Sequence, residues 1–239
     1  MLRFSRVELL NIQAEALFTH DARGRIVAVN EPGGDRAPLF FLARSPDGHI
    51  WRCRDDVPDK TARTLERLVR EDPVDDHPRA EPRALDTYLT LLNTSRATAT
   101  IWSGPAYSFP KRLEVPSDVT RITAANLTLL TAMVSHLDDV TSRLETREPV
   151  CAVIEDGLAV SLCYSSRLTD RAAEAGVETV EGRRGRGYAS MVVAAWARAV
   201  REGGRVPLYS TSWDNAAAQA VARQLGLQQY GSNVSIGSS

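Results

Sequence analysis

Seven residues constrain this chain more than any others: Glu181-Gly182-Arg183-Arg184-Gly185-Arg186-Gly187, a run that ends in three glycines within six positions. It separates two segments of different periodicity. Before it, residues 175–180 carry the β-branched positions Val177, Thr179 and Val180, which predicts a short strand. After it, residues 188–201 are helix-favouring, with Met191, Val192, Ala195, Ala199 and Val200 spaced by three and four along one face. Gly203-Gly204 then supplies a helix stop. A glycine turn that feeds a helix N-terminus leaves several N–H groups unpaired and pointing one way. With the helix dipole behind them they form an anion site.

Spacing tests which anion. A nucleotide P-loop needs Gly-Lys-Ser/Thr after four intervening residues, and no lysine lies here. The dinucleotide fingerprint needs a third glycine where Ser190 stands. Both fail. A second strand is predicted over residues 206–212, followed by the capping pair Asp214-Asn215, a helix over 216–225 and a stop at Gly226.

Arg184-Gly185-Arg186-Gly187-Tyr188-Ala189, with that downstream order, resembles the cofactor-binding half of the GNAT (GCN5-related) N-acetyltransferases. The resemblance implies an acyl-CoA-dependent transferase, with acetyl-CoA as co-substrate and no metal. In that family the loop amides hold the pyrophosphate of coenzyme A, which would give cofactor roles to Arg184, Gly185, Arg186, Gly187, Tyr188 and Ala189. Val177, Thr179 and Val180 of the preceding strand would face the thioester, and Asn215 the pantetheine arm. Two departures stand out: the second helix ends Leu225-Gly226-Leu227 where relatives have Leu-Gly-Phe, and Ala222 occupies the usual position of a proton-donating tyrosine. Tyr230, Tyr209 or a water are the substitutes open to the chain. A thiol pKa of about 8.5 makes the thiolate a tolerable leaving group, so the missing tyrosine does not by itself exclude turnover.

The acceptor amine must lose a proton before it attacks, and the candidate bases are Glu174 and Glu178. Four residues apart on one strand, they point to the same face unless a bulge on that strand separates them. Amides of residues 177–180, splayed at such a bulge, would hold the developing oxyanion.

The remaining elements set the expected architecture. Residues 149–154 and 158–164 flank the turn Glu155-Asp156-Gly157 and predict a hairpin. Upstream, helices are expected over 123–134 and near 138–145. The fold class is therefore α/β with a mixed α+β sheet: a GNAT domain over 116–239, separated at the proline-flanked stretch 110–116 from a strand-rich α+β accessory domain over 1–115. A degenerate half-transferase is one reading of that first domain. Within it, hairpins are expected over 17–29 and 38–53, helices over 60–70 (capped by Asp59) and 83–92, and a strand over 98–102 broken by Gly104-Pro105.

A formal net charge of -1 disfavours bulk nucleic-acid binding. Glu8 and Glu15 interrupt the N-terminal apolar run, making a signal peptide a poor reading, and no run is long enough for a membrane span. Cys53, Cys151 and Cys163 have neither zinc nor disulfide-framework spacing. A cytoplasmic protein acting on a small-molecule or peptide amine is the expectation, and a homodimer is compatible with it. Two alternatives stay open at this level: an acyl-CoA-binding sensor without turnover, and an RNA-associated protein using the arginine-glycine run.

Overall fold

Ser5 opens the first helix, α1 (Arg6–Leu17), with a reciprocal capping box. Its hydroxyl accepts from the Glu8 amide at 3.2 Å while the Glu8 carboxylate accepts from the Ser5 amide at 2.7 Å. This computed structural model describes residues 4–31, 33, 36–72, 77–131, 133 and 144–238. After α1 come β1 (Phe18–His20) and β2 (Ile26–Val29), the expected first hairpin, turned by Asp21, whose carboxylate accepts from the Arg23 and Arg25 amides at 2.8 and 2.9 Å. β3 (Phe40–Ser45) and β4 (Gly48–Cys53) form the second. Helices α2 (Asp59–Glu71) and α3 (Leu85–Leu91) follow, and Leu65 and Tyr88 from them bury completely with Phe40 of β3. Asp59 does not cap α2 as expected; Pro58 takes the cap position, and Asp59 pairs with Arg25 at 2.8 Å.

The predicted break at Gly104-Pro105 does not occur. β5 runs unbroken from Ala99 to Ser108. The glycine is there for close approach: a Cβ on Gly104 would lie 1.7 Å from the Thr211 carbonyl oxygen. The amides of Thr211 and Trp213 donate to Pro105 and Ser103 at 3.3 and 3.1 Å.

Next come β6 (Thr120–Ile122), a 3-10 helix (Ala124–Leu130), α4 (Leu144–Arg147), β7 (Val150–Glu155) and β8 (Leu158–Leu168). The long amphipathic helix predicted from residue 123 is instead that short 3-10 helix. Asn126 departs from helical geometry while its side chain accepts from the Thr123 amide at 2.7 Å, a local bond that competes with regular helix. Most of the helix predicted near 138–145 lies outside the described residues. The chain continues with β9 (Ala172–Thr179), α5 (Tyr188–Glu202), β10 (Val206–Ser210), α6 (Ala216–Gln224) and β11 (Gln228–Ser238).

The chain divides into two compact units. The first comprises Met1–Tyr107, Ser210–Ala216 and Gln229–Ser239, the second Ser108–Tyr209 and Ala217–Gln228. A single cut at 115/116 does not reproduce this grouping, because 108–115 belong with the second unit and most of β11 with the first. In the first unit the strand order is β4-β3-β11-β5, and β3 is antiparallel to both neighbours. In the second the order is β10-β9-β8-β7-β6, with β10 parallel to β9 and the rest antiparallel. Mixed sheet and helices make the α/β class expected from the sequence.

Two layers cover the second unit's strands. On one face α5 is buried along most of its length, and Trp196 donates its indole N–H to Ser165 Oγ at 3.2 Å. On the other, Ile122, Leu130, Val150, Ala152, Ala159 and Leu162 form an apolar cluster with Leu144 and Tyr164 against it. No helix among the described residues is long and apolar enough to cross a membrane.

Candidate functional site

The glycine turn takes the conformation its composition demands. Residues Glu181–Arg183 make a single 3-10 turn, and Gly185 and Gly187 adopt φ of +79° and +82°, a region that penalises a Cβ. Gly187 is the N-cap of α5 and, having no side chain, offers the helix no capping acceptor. The turn's first amides are used: Arg183 and Arg184 donate to Val180 and Glu181 at 2.9 and 3.2 Å. From Gly185 the pattern changes. The amides of residues 185, 186, 187, 188, 189 and 190 find no acceptor among the described residues, and regular pairing resumes with Met191 donating to Gly187 at 3.3 Å. Six consecutive donors, on residues that are exposed or half-buried except for the buried Ser190, thus lie at a helix N-terminus.

The arginines of this turn do not all face outward. Arg183 pairs with Glu155 at 2.9 Å and Arg186 approaches the same carboxylate at 3.9 Å, while Arg184 Nε donates to the Thr179 carbonyl at 3.4 Å. Tyr188 donates its hydroxyl to Glu155 as well. A carboxylate thus already answers part of the loop's positive charge. Free amides, more than guanidinium heads, are what the turn offers an anion.

β9 supplies the second feature. It pairs with β8 from Thr179↔Ser161 to Ala173↔Leu168, but with β10 only over Ala172, Ala173 and Glu174. Beyond Glu174 the two neighbours part. Val180 donates to Val160 at 3.0 Å, so alternation along the antiparallel ladder turns the amides of Thr179, Val177 and Ala175 away from β8, toward the edge that β10 has left. Of the strand positions singled out in the sequence, Val177 and Thr179 therefore present outward amides. Val180's amide is engaged.

The bulge considered for β9 is not found there; the irregularity of this pair lies on the partner strand. Register shifts between Ser165 and Arg167 of β8, leaving Ser166 extra opposite Ala175 and Glu174. Arg147 of α4, itself buried, donates to the freed Ser166 carbonyl at 2.7 Å, Arg167 donates to it at 2.9 Å, and the Ser166 hydroxyl donates to the Glu174 carbonyl at 3.1 Å. With no residue inserted in β9, Glu174 and Glu178 stay on one face. Their surroundings differ. Glu174 is 4% exposed and sits where β10 pairs, whereas Glu178 is half-buried beyond that point, with the Tyr164 hydroxyl donating to it at 3.4 Å. The Tyr164 ring also covers Gly176, where a Cβ would come within 2.7 Å of it, and the Arg147 guanidinium lies 5.6 Å from that ring's centre.

The remaining sequence candidates are placed as follows. Asn215 is exposed at the start of α6, with its amide donating to Ser212 at 3.2 Å. Ala222 is buried. Tyr209 is buried with its hydroxyl donating to the Ala218 carbonyl at 3.1 Å, a commitment that opposes a proton-donor role. Tyr230 is 1% exposed in the first unit, where it lines a cavity of about 190 Å³ with Arg44, His77 and Ser232. Burial raises the Cys53 thiol to about 12 and Cys151 to about 11, and Cys163 is likewise held neutral. Glu155 and Tyr164 are the site residues that sequence reasoning missed. Glu155 read only as part of a hairpin turn, and its tie to the glycine loop spans more than 25 residues of chain.

The second unit thus combines a mixed sheet whose strand neighbours diverge with a glycine turn that opens a helix. Residues 147–232 match the family described as GNAT acetyltransferase. Solved structures share the fold at low identity. An acetyltransferase of the GNAT family from Colwellia psychrerythraea is 16% identical, with TM-score 0.51 over 99% of this chain and 98% of that one. A GCN5-related N-acetyltransferase-like protein from Streptococcus suis is 14% identical, with TM-score 0.52 over 85% of each chain. A Drosophila protein is 12% identical, with TM-score 0.52 over 98% of this chain and 87% of its own. Among the curated proteins, none matches.

Proposed function

We propose that this protein is an acyl-CoA-dependent N-acyltransferase that moves an acetyl group to a primary amine. The observation that carries the reading is the run of six acceptor-less amides over residues 185–190, at the entry to α5 and next in sequence to the open edge of β9. These residues suit a diphosphate: glycines at 185 and 187 let it approach the main chain, and the helix dipole favours its charge. Gly185, Arg186, Gly187, Tyr188 and Ala189 would hold it through their amides, and Arg184 would add its guanidinium. Val177 and Thr179 would hold the pantetheine arm and acyl carbonyl through outward amides. Bound acetyl-CoA supplies an activated thioester.

The protein's own part is then to orient and to take a proton. Glu178 Oε accepts the proton of the incoming amine, held by the Tyr164 hydroxyl on the face that also carries Glu174. Glu174 is the second candidate, less accessible because it is buried. Developing charge on the acyl oxygen meets the Val177 and Thr179 amides. No tyrosine is assigned as general acid.

Calorimetry with acetyl-CoA tests the reading. Wild type should bind, and Gly187→Trp, which fills the cradle and forces a side chain to φ +82°, should not. Thiol release with a panel of amines, aminoglycosides and peptides then separates an enzyme from a sensor. Tight binding with no release from any acceptor would overturn the transferase assignment, and no binding would overturn both.

A further inference from the structure

We propose that Glu155 is a positioning residue of the cofactor loop, holding its amides in the anion-binding arrangement before any ligand arrives. This rests on the function proposed above. Glu155 closes β7, and its carboxylate accepts at two points that bracket the loop: Arg183, on the entering turn, at 2.9 Å, and the hydroxyl of Tyr188, the first residue of α5. Arg186, inside the loop, approaches at 3.9 Å. Between the two tie points lie Arg184, Gly185, Arg186 and Gly187, a segment with two left-handed glycines.

Such a segment has little rigidity of its own, because glycine loses more conformational freedom on ordering than any other residue. Glu155 is only 24% exposed at its side chain and Arg183 35%, so the pair is more sheltered than a solvent-facing bridge. The neighbouring Asp156 differs: it is 92% exposed and reaches Arg183 only at 3.8 Å. The chemistry explains why an acid belongs beside an anion site. A carboxylate placed to the side occupies the arginine heads and fixes the backbone through them, while the amides stay open to the diphosphate.

Glu155→Ala, Glu155→Gln and Asp156→Asn test the role, with thermal denaturation confirming that each is folded. Glu155→Ala should raise the Kd and KM for acetyl-CoA about tenfold, since ordering of the loop then falls on the binding step. Its kcat at saturating acetyl-CoA should stay within about twofold of wild type, the split expected when only ground-state binding is lost. Glu155→Gln keeps hydrogen-bond acceptance without the charge and should recover part of the affinity; Asp156→Asn should change nothing. Amide hydrogen exchange at residues 185–190, measured without ligand, should quicken in Glu155→Ala. Unchanged exchange and unchanged Kd would overturn the proposal, as would tighter binding, which would make Glu155 a competitor for the arginines. If wild type fails to bind acetyl-CoA at all, the function proposed above falls, and the exchange comparison still decides whether Glu155 holds the loop.

Discussion

In the first unit, β3 is paired on both sides: six register partners along β4 and five along β11, without interruption. In the second, β9 is paired along β8 but keeps β10 for three positions, and the helix that follows begins with unanswered amides. A helix N-terminus without a side-chain cap leaves its first amides to water or to an anion, so the run of open donors after the glycine turn marks where an anionic ligand would be held. The contrast separates scaffold from site by the backbone alone, before any side chain is considered.

Four experiments sharpen or break that contrast. The largest effect should come from Phe40→Ala in the first unit. Phe40 is fully buried with its ring 5.1 Å from that of Tyr88, and its removal should cost about 3–5 kcal/mol in urea unfolding. The acetyl-CoA Kd of the molecules that remain folded should be unchanged; a parallel loss of affinity would show that the units are not separable in this way. Next, Glu178→Gln should lower kcat by about 100-fold, because an amide cannot take the proton of the incoming amine. An unaltered kcat would move the base to Glu174 or to water.

A smaller effect is expected from Gly176→Ala, whose Cβ would meet the Tyr164 ring at 2.7 Å, for about 1–3 kcal/mol of destabilisation. Adding Tyr164→Ala should relieve most of that clash, so additivity of the two changes would refute the packing account. The smallest effect is an absence. At pH 8 the native protein should not react with a thiol reagent, because burial keeps Cys53, Cys151 and Cys163 protonated. The unfolded chain should release three thiols. The sign for stability follows: above the ordinary thiol pKa of about 9 the unfolded chain loses protons that the folded one retains, so stability falls as pH rises toward 11–12.

Local chemistry was the legible part of this molecule. The glycine turn, both hairpins of the first unit, the β7–β8 hairpin and the two helices after the turn all announce themselves through periodicity and breakers. What misled was context from elsewhere in the chain. Gly104-Pro105 looks like a stop and is a crossing point, because the Thr211 carbonyl needs the space a side chain would fill. Residues 228–238 carry no strand expectation in the sequence, yet β3 gives Ser232–Ile236 a partner, and Gly231 again makes room, with the Arg44 carbonyl 2.6 Å from where its Cβ would stand. The bulge on β8 is not legible in the sequence, since nothing local to Ser166 reveals that a buried arginine from α4 will satisfy its carbonyl. Glu155 was hidden for the same reason: its partners are close in space and distant in sequence.

The path of the last strand has a practical outcome. Anyone excising residues 116–239 to obtain a minimal catalytic fragment would take β11 and leave behind β3, the strand it zips against from Ser232 to Ile236. Such a fragment would expose a fresh, partly apolar ribbon ready to recruit other copies of itself, so precipitation on expression would be its natural fate.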